Sequence, residues 1–417
     1  MKYDVVVIGS GMSGLVAAAK AVSRKRNTLI ITKGQGMLPL TSGCIDLWGY
    51  QLDNPKVFAA NPFEEIRKLV LRNPKHPYAK VLDVLPESVD FLKKILQASG
   101  YFLIGNIYEN RKVLTALGTE RITALIPPSM VVKEPEKIRT IIAVGFKNYL
   151  DFFPEMFLDN LKNTSLPKGV KVPLTIDLGI PEALRSNHLS YLLERKEVLD
   201  RVADEINGTL TASGLKTGNY DESVLVVFPA VLGRDFDIYN KITKTLAVQV
   251  IEVPGLPPSI PGQRLNKALI SYLRKKGAEF YHNSEVTGYT IENGRISSVA
   301  VKDSSNNTRQ IEAESFILAT GSFMGGGLLA KKDSLCEPVF KLPVVEYKQQ
   351  DHEACFLTIE GMPFLNAGLE VDGELRPLKG VNNLYAVGSI LAHSNYAAEK
   401  SGLGVALSTG YKAASLA

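Results

Sequence analysis

The chain opens on an apolar run, Tyr3–Ile8, that stops at Gly9 and predicts a short strand buried on both faces. Met12–Ser23 follows with an alanine-rich helical pattern, and the β-branched stretch Thr28–Thr32 predicts a second strand. Together they form a β–α–β start with parallel strands. From Asn61 to Gly100 apolar positions recur at helical spacing, with Pro62 and Pro86 near helix starts. Tyr101–Thr164 predicts mixed strands and turns, and Pro181–Ala212 is helical again. The stretch Leu256-Pro257-Pro258-Ser259-Ile260-Pro261-Gly262 is a stiff connection that predicts a return from an inserted domain, with a helix from Arg264 to Lys276 after it. Glu285–Thr290, Gly294–Val301 and Arg309–Ala313 read as a meander turning at Asn293-Gly294, and they run into an apolar strand, Ser315–Ala319.

Composition narrows the class. A chain of 417 residues with 45% hydrophobic and 22% charged residues is sized for two or three globular domains. Net charge is only +5, the basic residues are scattered, and no basic stripe predicts nucleic-acid binding. The three cysteines, Cys44, Cys336 and Cys355, are far apart and odd in number, against a disulfide framework, a zinc site or a four-cysteine cluster. No metal is expected, and a reducing cytoplasmic compartment fits. No apolar run reaches 18 residues, so no direct membrane span is expected.

The first chemical motif is Gly9-Ser10-Gly11-Met12-Ser13-Gly14, a G-x-G-x-x-G between a predicted strand and a predicted helix. Such a turn lets backbone approach a pyrophosphate at a helix N-terminus. The acidic residue expected at the end of the second strand, where it would hold ribose hydroxyls, is replaced by Thr32-Lys33. A turn-rich loop follows, with Thr41-Ser42-Gly43 in it. Two later strands end in small residues, one at Ala319-Thr320-Gly321 and one at Gly388-Ser389, and Gly402-Leu403-Gly404-Val405 opens a last helix.

This combination resembles the two-dinucleotide-binding-domain flavoproteins, whose three flavin-contacting pieces the glycine motif, the Ala319-Thr320-Gly321 strand and the Gly388-Ser389 strand are similar to. Thr32-Lys33 and Thr41-Ser42-Gly43 are similar to the succinate dehydrogenase and fumarate reductase flavoprotein branch. Phe228-Pro229-Ala230, Pro254–Ser259 with Gly262 and Arg264, Leu318–Phe323, Gly326-Gly327-Leu328, Glu337-Pro338, Leu375-Arg376-Pro377 and Asn383–Ser389 resemble the B subunits of anaerobic glycerol-3-phosphate dehydrogenases almost end to end.

The expected fold class is therefore α/β: a Rossmann-like FAD/NAD(P)-binding flavoprotein fold with an inserted α+β substrate or cap domain. Residues 1–105 and 250–417 would form the discontinuous flavin domain, and 106–249 the insertion. The resemblance implies oxidation of glycerol 3-phosphate to dihydroxyacetone phosphate in a complex at the cytoplasmic face of the membrane. It implies two partners, a flavoprotein A subunit and an iron–sulfur, membrane-anchoring C subunit that passes electrons to quinone. The family is assigned FMN, whereas a glycine motif built for a pyrophosphate favours FAD.

Flavin chemistry asks the protein for orientation, donors at the ring's N1–C2=O edge and groups beside the substrate. Gly402-Leu403-Gly404-Val405 would supply backbone N–H donors at a helix N-terminus. His393, with Tyr396 and Lys400 nearby, is the candidate base, and Arg264 and Arg234 are candidates to grip a phosphate. Cys44 reads as a small packed residue. Three readings stay open: substrate oxidation on this chain, an electron relay without a substrate site, and a free-standing fumarate reductase-like enzyme.

Overall fold

Parallel strand pairing organises both halves of the computed structural model, which describes residues 2–215, 220–332, 334–346 and 362–417. His352 and Cys355 lie outside the described residues. In chain order the elements that position the site begin with β1 (Lys2–Ile8), α1 (Met12–Ser23), β2 (Thr28–Thr32), α2 (Pro62–Arg72) and α3 (Leu85–Gln97). Next come β3 (Arg111–Leu114), β4 (Glu120–Thr123), β5 (Thr140–Phe146), α4 (Pro154–Asn160), β6 (Val170–Ile176), α5 (Ser186–Leu193) and α6 (Lys196–Ala212). They are followed by β7 (Asp221–Pro229), α7 (Asp237–Leu246), β8 (Val248–Val253) and α8 (Ile260–Lys275). The last are β9 (Glu279–His282), β10 (Glu285–Glu292), β11 (Arg295–Lys302), β12 (Thr308–Leu318), β13 (Leu384–Ala386), α9 (Tyr396–Glu399) and α10 (Gly402–Leu416).

The chain divides into two units: Met1–Leu38, Ile45–Asn110 and Lys267–Ala417 form the first, and Pro39–Cys44 with Arg111–Asn266 the second. In the first unit the strand order is β9-β2-β1-β12-β11-β10, with β13 also on β12. The stretch expected as two strands, Arg309–Ala313 and Ser315–Ala319, is the single strand β12. Its first half alternates exposed and buried residues and pairs antiparallel with β11, while its last four residues are all buried and pair parallel with β1 and β13. One strand thus belongs to the meander and to the parallel sheet, because only its second half is covered on both faces. Helix α1 buries nine of its residues, four of them alanines, so sheet and helix approach closely. Helix α8 starts at Ile260, four residues before the sequence expectation, because Pro261 is accommodated in its first turn.

The second unit is built on a four-stranded sheet in the order β8-β7-β5-β6, with every pair parallel. The expected α+β character is corrected by this sheet. Its strands alternate with helices along the chain, while the β3–β4 hairpin is antiparallel. Val224–Phe228 on β7 and Ile141–Val144 on β5 are fully buried, as central parallel strands must be. Helix α6 turns Leu199, Val202, Ala203, Ile206 and Leu210 inward at helical spacing, which fixes the face it lays on this core.

Candidate functional site

Four strand ends converge in the first unit. The Gly9 N–H donates to the Ile31 carbonyl at 2.9 Å, the Ala319 N–H to the Ile8 carbonyl at 2.8 Å, and the Val387 N–H to the Leu318 carbonyl at 3.0 Å. The carboxyl ends of β2, β1, β12 and β13 therefore share one edge, the place where an open α/β sheet binds ligands.

The glycines at that edge have different duties. A Cβ on Gly9, whose φ is +116°, would lie 2.2 Å from the Ala319 carbonyl oxygen, and one on Gly14 would lie 2.1 Å from the Gly9 oxygen. Both are required for packing. A Cβ on Gly11 would meet nothing within 4 Å, so the space beside it is open. Gly11 is also the N-cap of α1, no side chain caps the helix, and its first turn holds no acid. An uncapped helix N-terminus beside open space is suited to a pyrophosphate. Two further polar atoms have no hydrogen-bond partner although buried, Thr320 Oγ1 and Ser322 Oγ, just beyond the end of β12. Orphaned buried hydroxyls at such an edge are what a polar ligand would satisfy. The residues present fit FAD: Ser10, Gly11, Met12 and Ser13 would meet its pyrophosphate, with Thr320 and Gly321 alongside.

Thr32 and Lys33 stand at the end of β2, in place of the acid that would hold ribose hydroxyls. The Thr32 hydroxyl is 2.7 Å from Ser10 Oγ and also bonds the Gly34 carbonyl, so it pins the glycine turn to β2. Lys33 is exposed and pairs with Glu285 at 3.0 Å. On β13's side, Gly388 donates its N–H to Thr409 Oγ1 on α10 at 3.0 Å, and Ser389 follows in a short 3-10 turn.

At the head of α10 the structure narrows the expected donors. The Gly404 N–H already donates to the Asp46 carbonyl at 3.0 Å, and the Val405 N–H to the Ser401 carbonyl at 2.9 Å. The Gly402 and Leu403 amides, together with a helix lacking a side-chain cap, remain to meet a ligand. Gly404 must be glycine, since its Cβ would lie 2.1 Å from the Tyr78 hydroxyl oxygen.

His393 has a partner that sequence reading missed. Its Nε2 is 2.8 Å from Glu370 Oε1, and Lys75 Nζ reaches the same oxygen at 2.9 Å. The hydrogen bonds from Lys75 and then His393 hold the Glu370 carboxyl below the usual carboxylate range. His393 has φ +67° and donates its backbone N–H to the Asn366 carbonyl at 2.8 Å, which sets the ring's direction. A second unforeseen group is His76 with Glu399. Burial pushes the Glu399 carboxyl up, but hydrogen bonds from His76, Ser401 and the Asn395 N–H outweigh it and hold the pKa below the ordinary range. No local signal marks these pairs, because 323 residues separate His76 from Glu399 and 23 separate Glu370 from His393.

A lowered carboxyl pKa has a consequence for acid stability. On unfolding, Glu399 returns to about 4.3. Its stabilisation is therefore present above that value and lost as pH falls through the lower folded one. Thermal melts of the wild type from pH 6 down to about pH 3 should lose stability more steeply than those of Glu399→Ala. Parallel curves would show that Glu399 contributes nothing to the acid limb.

The two arginines proposed for phosphate are both committed elsewhere, in the second unit. Arg264 is 3% exposed and forks onto Glu252, at 2.7 Å to Oε2 and 3.0 Å to Oε1. It also donates to the Leu232 and Gly233 carbonyls, while Glu252 accepts the Leu232 N–H at 2.9 Å. This buried pair clamps the loop after β7, and the expected phosphate grip is corrected to that role. Arg234 is exposed and held bidentately by Glu194 at 2.9 and 2.8 Å. Its fork is occupied by a carboxylate, the same geometry a phosphate would need.

Thr41, Ser42 and Gly43 also belong to the second unit. Arg121 donates to Ser42 Oγ at 3.1 Å, the Ser259 N–H donates to the Pro39 carbonyl at 2.9 Å, and Gly43 abuts Pro261. The structure thus joins this loop to the proline connection. Cys44 is 1% exposed, with its Sγ 3.6 Å from Met130 Sδ. Among the described residues no group of three His, Cys, Asp or Glu side chains is arranged to hold a metal ion, and no helix is long and apolar enough to cross a membrane.

Comparison with known proteins agrees with this geometry. The sequence model of the FAD binding domain family matches residues 4–405. The chain is 29% identical over 429 residues to a protein of Vibrio vulnificus (strain CMCP6) named as the B subunit of anaerobic glycerol-3-phosphate dehydrogenase, covering 98% of this chain and 94% of that one. It is 28% identical over 423 residues to a protein of the same name from Pectobacterium atrosepticum, covering 98% and 96%. Among solved structures it is similar to 3-ketosteroid delta1-dehydrogenase from Sterolibacterium denitrificans, at 12% identity and a TM-score of 0.47, covering 100% of this chain and 99% of that one. With a pyrophosphate-ready glycine turn at the shared edge of its sheet, and a match that runs from Asp4 to Val405, the chain belongs to the FAD binding domain family of flavin-linked oxidoreductases.

Proposed function

We propose that this chain is the flavin subunit of a glycerol-3-phosphate:quinone oxidoreductase, with a role in the oxidation of glycerol 3-phosphate to dihydroxyacetone phosphate. The observation that carries this reading is the likeness over 98% of the chain to proteins named as the B subunit of that dehydrogenase. The word subunit in that name favours a multi-subunit complex. In our reading its other members are a flavoprotein A subunit and an iron–sulfur C subunit that anchors the assembly at the cytoplasmic face of the membrane and hands electrons to quinone. FAD, when bound, supplies the two-electron acceptor. His393 takes the proton of the substrate's secondary hydroxyl, and Glu370 holds the imidazole in place. FAD is favoured over FMN because the open space at Gly11 and the uncapped α1 suit a pyrophosphate, which FMN lacks.

A second reading is favoured by one observation. Both candidate phosphate grips, Arg264 and Arg234, are held by carboxylates. On that reading the chain relays electrons between its partners without a substrate site of its own.

Anaerobic titration of the purified, FAD-loaded chain separates the two. Loss of the flavin's visible absorbance on adding glycerol 3-phosphate is expected if substrate is oxidised here, and bleaching by dithionite alone assigns oxidation to a partner. On the first reading His393→Ala lowers turnover by about 10²–10⁴-fold with FAD content unchanged. Unaltered turnover of the assembled complex removes His393 from the chemistry.

A further inference from the structure

Glu399 closes the short helix α9, two residues ahead of Ser401, the N-cap of α10. Its carboxylate is saturated with donors. Oε1 accepts the Asn395 N–H at 2.8 Å, and Oε2 accepts Ser401 Oγ at 2.6 Å, Ser394 Oγ at 3.1 Å and His76 Nε2 at 3.2 Å.

His76 is fully buried, and its Nδ1 accepts the Tyr78 backbone N–H at 3.1 Å. With Nδ1 accepting, Nε2 carries the proton that faces Glu399. Its plane is fixed by stacking on Tyr78 at 5.3 Å and by an edge contact with Trp48 at 6.2 Å. Because the Asn395 N–H and the His76 Nε2–H are both locked donors, each facing a different carboxylate oxygen, an amide in place of Glu399 would always set one donor against another. The site is built for the ionised carboxylate.

Among the described residues no lysine or arginine forms an ion pair with Glu399. Lys400, its neighbour in the chain, has φ +50°, and its methylenes lie against Gly49 while Nζ sits 5.7 Å from the centre of the Tyr50 ring. Burying a carboxylate without a lysine or arginine partner is costly, and the hydrogen bonds with the positive end of α10 offset the cost. The charge is thus a fixed feature next to the Gly402 and Leu403 amides.

We propose that Glu399 tunes the flavin: its fixed negative charge at the head of α10 opposes the charge that reduction places on the ring's N1–C2=O edge, and so holds back reduction. This inference rests on the proposed flavin role of the chain, in which the head of α10 meets that edge. His76 is a positioning residue that keeps the carboxylate aimed and ionised.

The test uses the FAD-loaded full chain, with reduced flavin measured anaerobically against a reference dye of similar potential. Glu399→Gln and Glu399→Ala remove the charge, and in the alanine variant water can take both orphaned donors. His76→Gln keeps the charge and an N–H donor. Removing the charge should move the flavin–dye equilibrium about tenfold or more towards reduced flavin. His76→Gln should move it less than about threefold, although its melting temperature falls. A merely structural Glu399 would lower melting temperatures and leave the equilibrium of every FAD-loaded variant at the wild-type value, which overturns the proposal. A shift in His76→Gln as large as in the Glu399 variants also overturns it. Failure of the wild type to take up FAD at all defeats the functional reading first, and the two failures are told apart by flavin content.

Discussion

Replacing Gly11 with aspartate should leave the first unit folded and strip it of FAD. The backbone there is extended, with φ −74° and ψ −176°, and no atom lies within 4 Å of a new Cβ, so nothing resists the side chain. Aspartate is also a favoured N-cap, and supplying the cap that α1 lacks stabilises a helix by about 0.5–2 kcal/mol. The same carboxylate occupies the amides of the first turn and repels a pyrophosphate, a loss of about 100-fold or more in FAD affinity when charge repulsion and lost hydrogen bonds are combined. Gly14→Ala is the opposite case, since its methyl would sit 2.1 Å from the Gly9 oxygen and the β1–α1 contact must open. Flavin absorbance per chain and thermal melting decide both. Stoichiometric FAD in Gly11→Asp, or a wild-type melting temperature in Gly14→Ala, would contradict the division of labour between these glycines.

The second large effect is expected at Arg264. Its side chain is 2% exposed and that of Glu252 is 0% exposed, so Arg264→Met leaves a buried carboxylate without its partner. Breaking a buried pair from one side costs about 3–5 kcal/mol, whereas replacing both members by apolar residues is often neutral. Denaturant titration of Arg264→Met should show that loss in the second unit, and Arg264→Met with Glu252→Leu should recover most of it. A loss under about 1 kcal/mol in the single variant would mean that the clamp on the loop at Leu232 and Gly233 is not what the pair provides.

How much of this was legible in the sequence follows from how local each signal is. Tyr3–Ile8, Met12–Ser23 and Thr28–Thr32 are read to within one residue of β1, α1 and β2 because burial on both faces, an alanine-rich helix and β-branching all act within a few residues. The glycine spacing at 9, 11 and 14 pointed to a phosphate turn, but only the space around each residue separates the packing glycines from the one facing a ligand. Arg264 was misread because a sequence displays a cation and hides its partner, here twelve residues earlier on another element. His393 was visible as a histidine in the right segment, while Glu370 and the His76–Glu399 pair depend on contacts that no periodicity encodes. The parallel sheet of the second unit was hidden for the same reason: β5 and β7 pair across an intervening strand and several helices.

The pairing of β1 with β12 bears on the order in which the chain acquires its structure. Val5 lies beside Ser315, and Val7 beside Ile317, so one neighbour of the first strand is contributed more than 300 residues later. The β5–β8 sheet is complete by Val253. During synthesis the inserted unit therefore has its whole sheet available while β1, already beside β2, is still waiting for its second neighbour, and closing so long a loop is slow. Pulse-labelled hydrogen exchange during refolding should find β7 protected before β1. Until β12 arrives, the β1–α1–β2 segment presents an unpaired apolar strand edge, the stretch on which a chaperone or an aggregation seed would act.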